Sequence, residues 1–169
     1  VVCGGVYLKR RIIIGQYSKN SGPQGLLRSE GLSGSLENLG FALRRFKTGT
    51  PARVDVRSID FDRMEPQPGD DPIVPFSFLT AAGDPDTGVS FPLRNRALCY
   101  LTYTNEETHR IIRENLHLSP MVRGDIKGTG ARYCPSIEDK VRRFADKDRH
   151  QLFLEPEGLS SPEWYVQGM

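Results

Sequence analysis

The chain has 169 residues, of which 37% are hydrophobic and 26% charged, and its formal net charge is +2. Such a length and composition are typical of a globular protein with one ordinary domain or parts of two. No run of about 18 apolar residues occurs, which excludes a membrane-spanning helix from this sequence.

The three cysteines, Cys3, Cys99 and Cys134, are odd in number and far apart. This pattern favours a reducing compartment, and we predict a cytoplasmic protein without a disulfide framework. No C-x-x-C pair is present, which argues against a zinc site and against a thiol redox protein. The first residue is Val rather than Met, so we expect an internal fragment of a longer protein.

Residues 1–48 predict short strands, one loop and one helix. Leu32, Leu36 and Leu39 recur at helical spacing, and Gly40 is a typical helix end. The strands are predicted at residues 1–3, 6–8, 11–15 and 41–48, and the loop at residues 16–28. The Thr-Gly-Thr-Pro sequence at residues 48–51 then predicts a domain boundary.

The remaining residues predict further strands and two helices. Asn105 is expected to cap a helix over residues 106–115, with His109, Ile112 and Leu116 facing inward. A loop is predicted for residues 117–131, followed by a turn and the second helix. The strands are predicted at residues 54–59, 75–78, 98–103 and 150–156.

The turn before the second helix contains a cysteine in a basic setting. Residues 132–140 read RYCPSIEDK, in which Ser136 and Asp139 have the spacing of a capping box. A helix that starts after Ser136 places Cys134 beside unpaired amide groups, and Arg132 adds a positive charge. Both effects favour the thiolate, so Cys134 is a candidate nucleophile. A buried cysteine that only fills space is the alternative, and spacing leaves both open.

Two other patterns occur near this turn, and basic clusters occur here and further upstream. Residues 128–130 read Gly-Thr-Gly, but Tyr133 replaces the third glycine of a dinucleotide fingerprint, so a Rossmann site is not predicted here. A catalytic dyad of Cys134 with His150 is a further hypothesis that spacing does not test. Basic residues are frequent in residues 44–57 and 132–149, where solvated surface and phosphate contact remain alternatives.

Five blocks of sequence resemble the MnmG family, also called GidA or glucose-inhibited division protein A, which are flavoproteins that modify tRNA uridine. The blocks are RFKTGTPAR (45–53), RSIDF (57–61), TYTNE (102–106), RYCPSIEDKV (132–141) and RFAD with HQLFLEPEG (143–158). They are long and follow one another through most of the chain. Leu98 departs from the family pattern, which usually has Pro before the residue that matches Cys99.

The resemblance implies an α/β fold: a partial FAD-binding domain of the glutathione-reductase type that carries an inserted mixed α/β domain. We expect residues 1–48 in the FAD-binding domain, residues 49–150 in the insertion, and residues 151–169 back in the FAD-binding domain. The glycine fingerprint of the family's FAD segment is not found in these 169 residues. We therefore expect the fragment alone to be inactive and to bind no FAD.

The resemblance also implies an activity. Members of the family place a carboxymethylaminomethyl or aminomethyl group on C5 of the wobble uridine in certain tRNAs. They use FAD, NADH and a carbon from methylenetetrahydrofolate, and they work as homodimers with a GTPase of the MnmE family. A thiolate that adds to uracil C6 would activate C5. Cys134 is the expected nucleophile, and Cys99 the expected general acid/base or alternate nucleophile.

Further site residues follow from the same resemblance. Ser29 is expected to contact FAD. The residues expected near the nicotinamide cofactor are Gly130, Arg132, Tyr133, Pro135, Ser136, Lys140 and Phe144. Arg53, Lys140 and Arg142 are candidates for tRNA phosphate contacts, with ordinary surface ion pairs as the alternative. A different class of function stays open for the isolated piece, namely a non-catalytic module that binds tRNA or the partner GTPase.

Overall fold

The computed structural model describes residues 1–77, 94–130 and 136–169. The chain divides into two compact units. Unit 1 comprises Val1–Gly49 and Glu107–Phe144, and unit 2 comprises Thr50–Glu106 and Ala145–Met169. Both helices and strands are present, which agrees with the predicted α/β class at this coarse level. The predicted domain limits at residues 48 and 150 stay a prediction.

Unit 1 begins with an antiparallel hairpin of β1 (Arg11–Ile14) and β2 (Tyr17–Asn20). Gly15 occupies the turn with a φ of +55°, a conformation that favours glycine. The predicted loop over residues 16–28 was wrong for β2. All four residues of β2 are exposed, so the strand has no apolar alternation that a sequence pattern could reveal.

Three strand predictions in unit 1, for residues 1–3, 6–8 and 41–48, were wrong in whole or in part. No strand forms in residues 1–10, where Leu8 makes an isolated bridge to Ser29. The strand predicted over residues 41–48 is reduced to β3 (Phe46–Lys47), which pairs in parallel with β7 (Thr129–Gly130). Residues 41–45 are exposed, so a strand here would bury no apolar side chains against the described residues.

The helices of unit 1 were predicted more closely. The helix α1 (Gly31–Asn38) lies where leucine spacing placed it, and Gly40 follows with a φ of +87°. Its buried residue is Ser33, whereas Leu39 is 74% exposed. The leucine spacing therefore predicted the helix but not its buried face.

Two further helices belong to unit 1, apart from the first residue of one of them, Glu106. The helix α2 (Glu106–Asn115) matches the predicted range, and His109 is 1% exposed, as its inward position required. Arg110 forms ion pairs with Glu107 and Glu114 on the exposed side of α2. The helix α3 (Ile137–Arg143) begins directly after Ser136, as predicted.

Unit 2 contains an antiparallel sheet of five strands in the order β4-β9-β8-β6-β5. These strands are β4 (Arg53–Asp55), β5 (Glu65–Gln67), β6 (Cys99–Tyr103), β8 (Gln151–Pro156) and β9 (Glu163–Gln167). The predictions of β6 and β8 are confirmed, but β5 and β9 were missed. The strand predicted over residues 54–59 stops at Asp55 and continues as a 3-10 turn over Val56–Ser58. Residues 75–77 form no strand, and residue 78 lies outside the described residues.

One face of this sheet carries the core of unit 2. The pairing of Tyr100 with Leu154, and of Leu154 with Val166, places these three side chains on the same face. Leu154 is 5% exposed. Phe61 packs against the Tyr100 and Trp164 rings, with centroids 4.5 and 5.1 Å away.

Within the described part of the chain, no helix is long and apolar enough to cross a membrane.

Candidate functional site

The face of the unit 2 sheet opposite the core carries a row of mostly polar side chains. Tyr165 pairs with Arg53 on one side and with Glu155 on the other. Cys99 pairs with Gln67 and, because Tyr100 pairs with Leu154, lies next to Glu155 on the adjacent strand. The polar row therefore crosses all five strands, in the order Arg53, Tyr165, Glu155, Cys99 and Gln67.

Cys99 is the predicted catalytic residue that the structure describes. It begins β6 and its side chain is half-buried. Burial raises the pKa of the Cys99 thiol, and the negative charge of Glu155 raises it further. The thiol is therefore held in its protonated form at neutral pH. Such a group suits proton donation better than attack on carbon.

Arg53, a predicted tRNA contact, lies at the β4 edge of the polar row. It forms an ion pair with Glu157 at 3.2 Å, and its guanidinium carbon lies 5.4 Å from the Tyr165 ring centroid. Side-chain exposures of 44% for Arg53 and 32% for Glu157 describe a pair that solvent still reaches. Exposed pairs of this kind are weak, so a phosphate can compete with Glu157 for the guanidinium.

In unit 1, Ser136 occupies the N-cap position of α3 with extended backbone angles, φ −66° and ψ 159°. The predicted capping box was wrong, because the Ser136 side chain makes no cap hydrogen bond. Asp139 instead forms ion pairs with Arg142 at 2.9 Å and Arg143 at 3.6 Å. The Ser136 hydroxyl oxygen is buried without a hydrogen-bond partner among the described residues.

Three further predicted cofactor residues lie at α3 or at the end of β7. The Lys140 side chain is partly buried, and this burial lowers its pKa. The Phe144 backbone N–H donates to the Lys140 carbonyl oxygen at 2.9 Å, and the Phe144 side chain is 49% exposed. Gly130 ends β7, where a side chain at this position would meet Lys47 Cε at 3.6 Å.

Ser29, the predicted FAD contact, is tied into unit 1 through its backbone. Its N–H donates to the Tyr7 carbonyl oxygen at 3.0 Å, and its carbonyl oxygen accepts from the Lys9 N–H at 2.9 Å. The Ser29 hydroxyl takes no part in these backbone hydrogen bonds, and it is the group through which Ser29 would reach a ligand.

Several predicted residues lie outside the described residues, so the structure does not place them. They are Arg132, Tyr133, Cys134 and Pro135. The proposed Cys134–His150 dyad is therefore not tested from the cysteine side. His150 itself is buried and exchanges backbone hydrogen bonds with Thr104, donating to its Oγ1 at 2.7 Å and accepting from its N–H at 2.9 Å.

The structure brings two sets of predicted residues together, one in each unit. Arg53 and Cys99 share the polar row of unit 2, while Ser136, Lys140 and Arg142 share α3 in unit 1. Sequence reasoning missed the other members of the polar row, Tyr165 and Glu155 above all. The sequence of β8 shows Glu155 directly after an apolar run, but the position of Glu155 beside Cys99 depends on strand register.

Comparison with known proteins identifies what the chain resembles. The family model described as "Glucose inhibited division protein A" matches residues 1–169. The chain is 57% identical over 169 residues to the tRNA uridine 5-carboxymethylaminomethyl modification enzyme MnmG of Clostridium botulinum strain Okra, and covers 26% of that protein. It is 54% identical to the enzyme of the same name from Lachnoclostridium phytofermentans, again covering 26%.

Solved structures agree with this relationship. The form I crystal structure of Aquifex aeolicus GidA matches with a TM-score of 0.79 and 49% identity, over 98% of this chain and 27% of that one. The form II crystal structure matches with a TM-score of 0.77 and 47% identity, over 98% of this chain and 25% of the other. The chain thus spans about a quarter of the length of the relatives it matches. It belongs to the glucose-inhibited division protein A (GidA) family.

Proposed function

We propose that the chain is a segment of an FAD-dependent enzyme that modifies C5 of the wobble uridine in tRNA. The observation that carries this proposal is 57% identity along the whole chain to a protein named as a tRNA uridine 5-carboxymethylaminomethyl modification enzyme. The proposed partner is a tRNA-modification GTPase of the MnmE family, the proposed assembly is a homodimer, and the proposed compartment is the cytoplasm.

The proposed reaction begins with Cys134. Its thiolate adds to uracil C6, and the displaced electron pair moves to O4, which accepts a proton from the Cys99 thiol. C5 would then bond to the one-carbon unit that methylenetetrahydrofolate supplies, and the carbon–nitrogen bonding pair displaced from that carbon would stay on the nitrogen. As the C4 carbonyl re-forms, O4 releases its proton to solvent.

The last step restores the uracil ring. The Cys99 thiolate left by the first proton transfer removes the proton from C5, the C5–C6 double bond re-forms, and Cys134 leaves as thiolate. Cys134 thus acts as nucleophile and Cys99 as general acid and then base. The half-buried position of Cys99 and the raised pKa of its thiol support this division of roles.

The described residues fit the implied cofactors. A buried Ser136 hydroxyl without a described partner and the partly buried Lys140 ammonium are suited to hold the phosphates of NADH. Gly130 and Phe144 complete the proposed nicotinamide-cofactor contacts, together with Arg132, Tyr133 and Pro135. The Ser29 hydroxyl is the proposed FAD contact. When bound, these cofactors supply hydride transfer.

For tRNA binding we propose Arg53, Lys140 and Arg142. Arg142 is 50% exposed in its ion pair with Asp139, so a phosphate can replace the carboxylate at small cost. Binding through such contacts releases counterions, and the affinity for tRNA should fall steeply with salt concentration.

A second candidate is a binding module for tRNA or the GTPase that has no catalytic activity of its own. The observation that favours it for the isolated chain is that the chain spans about a quarter of the length of its relatives. Flavin absorbance of the purified chain tests this second candidate. The binding-module proposal predicts a colourless chain, and a purified chain with stoichiometric flavin would contradict it.

The catalytic proposal is tested in the full-length protein with its GTPase partner. We expect Cys134→Ser to abolish the modified wobble uridine while tRNA affinity stays nearly unchanged. Cys3→Ser is the matched control, because Cys3 is exposed and has no proposed role. Mass spectrometry of nucleosides from the tRNA gives the readout. Full modification by Cys134→Ser would refute the role of Cys134 as nucleophile.

A further inference from the structure

Glu155 is a half-buried carboxylate within the polar row, and it has no ion-pair partner among the described residues. Two other acidic residues of the sheet region do have ion-pair partners. Asp55 pairs with Arg57 at 2.6 Å, and Glu157 pairs with Arg53 at 3.2 Å. A carboxylate that is partly removed from water without a cation costs stability. Its position therefore points to a role other than holding the sheet together.

Strand register fixes the neighbour of Glu155. Tyr100 on β6 pairs with Leu154 on β8, so Cys99 and Glu155, the adjoining residues, lie on the opposite face of the same two antiparallel strands. Side chains at such facing positions have their Cβ atoms about 5 Å apart. Tyr165 lies on the other side of Glu155 and separates it from Arg53.

We propose that Glu155 is a positioning residue for Cys99, acting on the thiol from the facing position of the adjacent strand and orienting the S–H bond for the proton transfers of the reaction proposed above. This inference rests on that proposed function and adds to it the residue that controls Cys99. The same carboxylate makes the Cys99 thiolate, once formed, a stronger base toward the proton on C5.

The charges around Cys99 support this assignment. The ionisable groups on the same face are Glu65 on β5, Tyr103 on β6, Glu155 on β8, Glu163 and Tyr165 on β9, and Arg53 and Asp55 on β4. Among the described residues, Glu155 is the charged group that raises the pKa of the Cys99 thiol, in addition to burial. Arg53 does not offset this effect, since it is held by Glu157 at the edge of the sheet.

The first test needs no tRNA. The rate of alkylation of Cys99 by iodoacetamide is measured across pH in the full-length protein, with each cysteine resolved by peptide mass spectrometry. Glu155→Gln removes the charge at nearly constant size, and we expect Cys99 to react about fivefold faster near pH 8, the effect of one charge at roughly 5 Å. The matched control is Glu163→Gln, an exposed position on the same face. An unchanged rate in Glu155→Gln, or equal changes in both variants, would overturn the proposal.

The second test measures modification of the wobble uridine. We expect Glu155→Gln to lower kcat with little change in KM for tRNA and to move the pH profile of kcat to lower pH, while Glu155→Asp recovers part of the rate. Wild-type kcat and pH profile in Glu155→Gln would refute the role of Glu155. If the wild-type protein forms no modified uridine, the proposed function fails, whereas the alkylation result still decides whether Glu155 controls Cys99.

Discussion

Leu154 is the residue on which the packing of unit 2 depends most directly. It lies in β8 near the middle of the five-stranded sheet, pairs with Tyr100 and Val166, and is 5% exposed. Leu154→Ala removes three buried carbon groups, each worth about 0.8 kcal/mol. The cavity left behind adds to this loss. We expect the free energy of unfolding of unit 2 to fall by about 3 kcal/mol.

Urea unfolding followed by tryptophan fluorescence measures this loss. Trp164 is the single tryptophan of the sequence, and it packs against Phe61 in unit 2, so its emission reports on that unit. The matched control is Leu159→Ala, because Leu159 is 60% exposed. Its effect should stay within about 0.5 kcal/mol. A loss below about 1 kcal/mol for Leu154→Ala, or equal losses in the two variants, would refute the proposed packing.

Three further predictions follow from other parts of the chain. Gly22→Ala should destabilise unit 1, because its new Cβ would lie 2.6 Å from the Leu27 carbonyl oxygen. Gly34→Ala in α1 meets nothing within 4 Å and should stabilise the protein by up to about 1 kcal/mol. Thermal unfolding followed by circular dichroism compares the two variants, and equal shifts in melting temperature would contradict the geometry. Arg53→Gln in the full-length protein should weaken tRNA binding at low salt and reduce its salt dependence, and an unchanged slope in a filter-binding titration would remove Arg53 from the interface. Burial and Glu155 raise the pKa of the Cys99 thiol, so its alkylation should become fast only above the pH at which free cysteine ionises, and a profile that matches free cysteine would disprove this environment.

Local sequence patterns predicted those elements whose structure is decided locally. The helix α2 was predicted from Asn105 and an apolar face, and the start of α3 from Ser136. The strands β6 and β8 were predicted because they are rich in β-branched, aromatic and aliphatic residues. Strand β2 was missed because all its side chains are exposed, and such strands show no alternation.

The candidate site was less accessible to sequence reasoning. The polar row depends on the register of five strands, and Arg53 and Tyr165 meet although 112 residues separate them along the chain. The prediction of a capping box at α3 was wrong for a different reason. A capping box requires Asp139 to turn back toward the N-cap, but two arginines one turn further along the helix hold its carboxylate. Whether Asp139 bonds to the N-cap or to the arginines depends on side-chain geometry, which residue spacing does not reveal.

The central claim is that the Cys134 thiolate adds to C6 of the wobble uridine. The most direct measurement uses tRNA with 5-fluorouridine at the wobble position, incubated with the full-length protein, the proposed GTPase partner and the proposed cofactors. Fluorine cannot leave C5 as a proton does, so the covalent adduct should persist. Peptide mass spectrometry should find the nucleotide on Cys134 in the wild-type protein and equally in Cys3→Ser. An adduct on Cys99, or a tRNA that is modified without any adduct on Cys134, would contradict the claim.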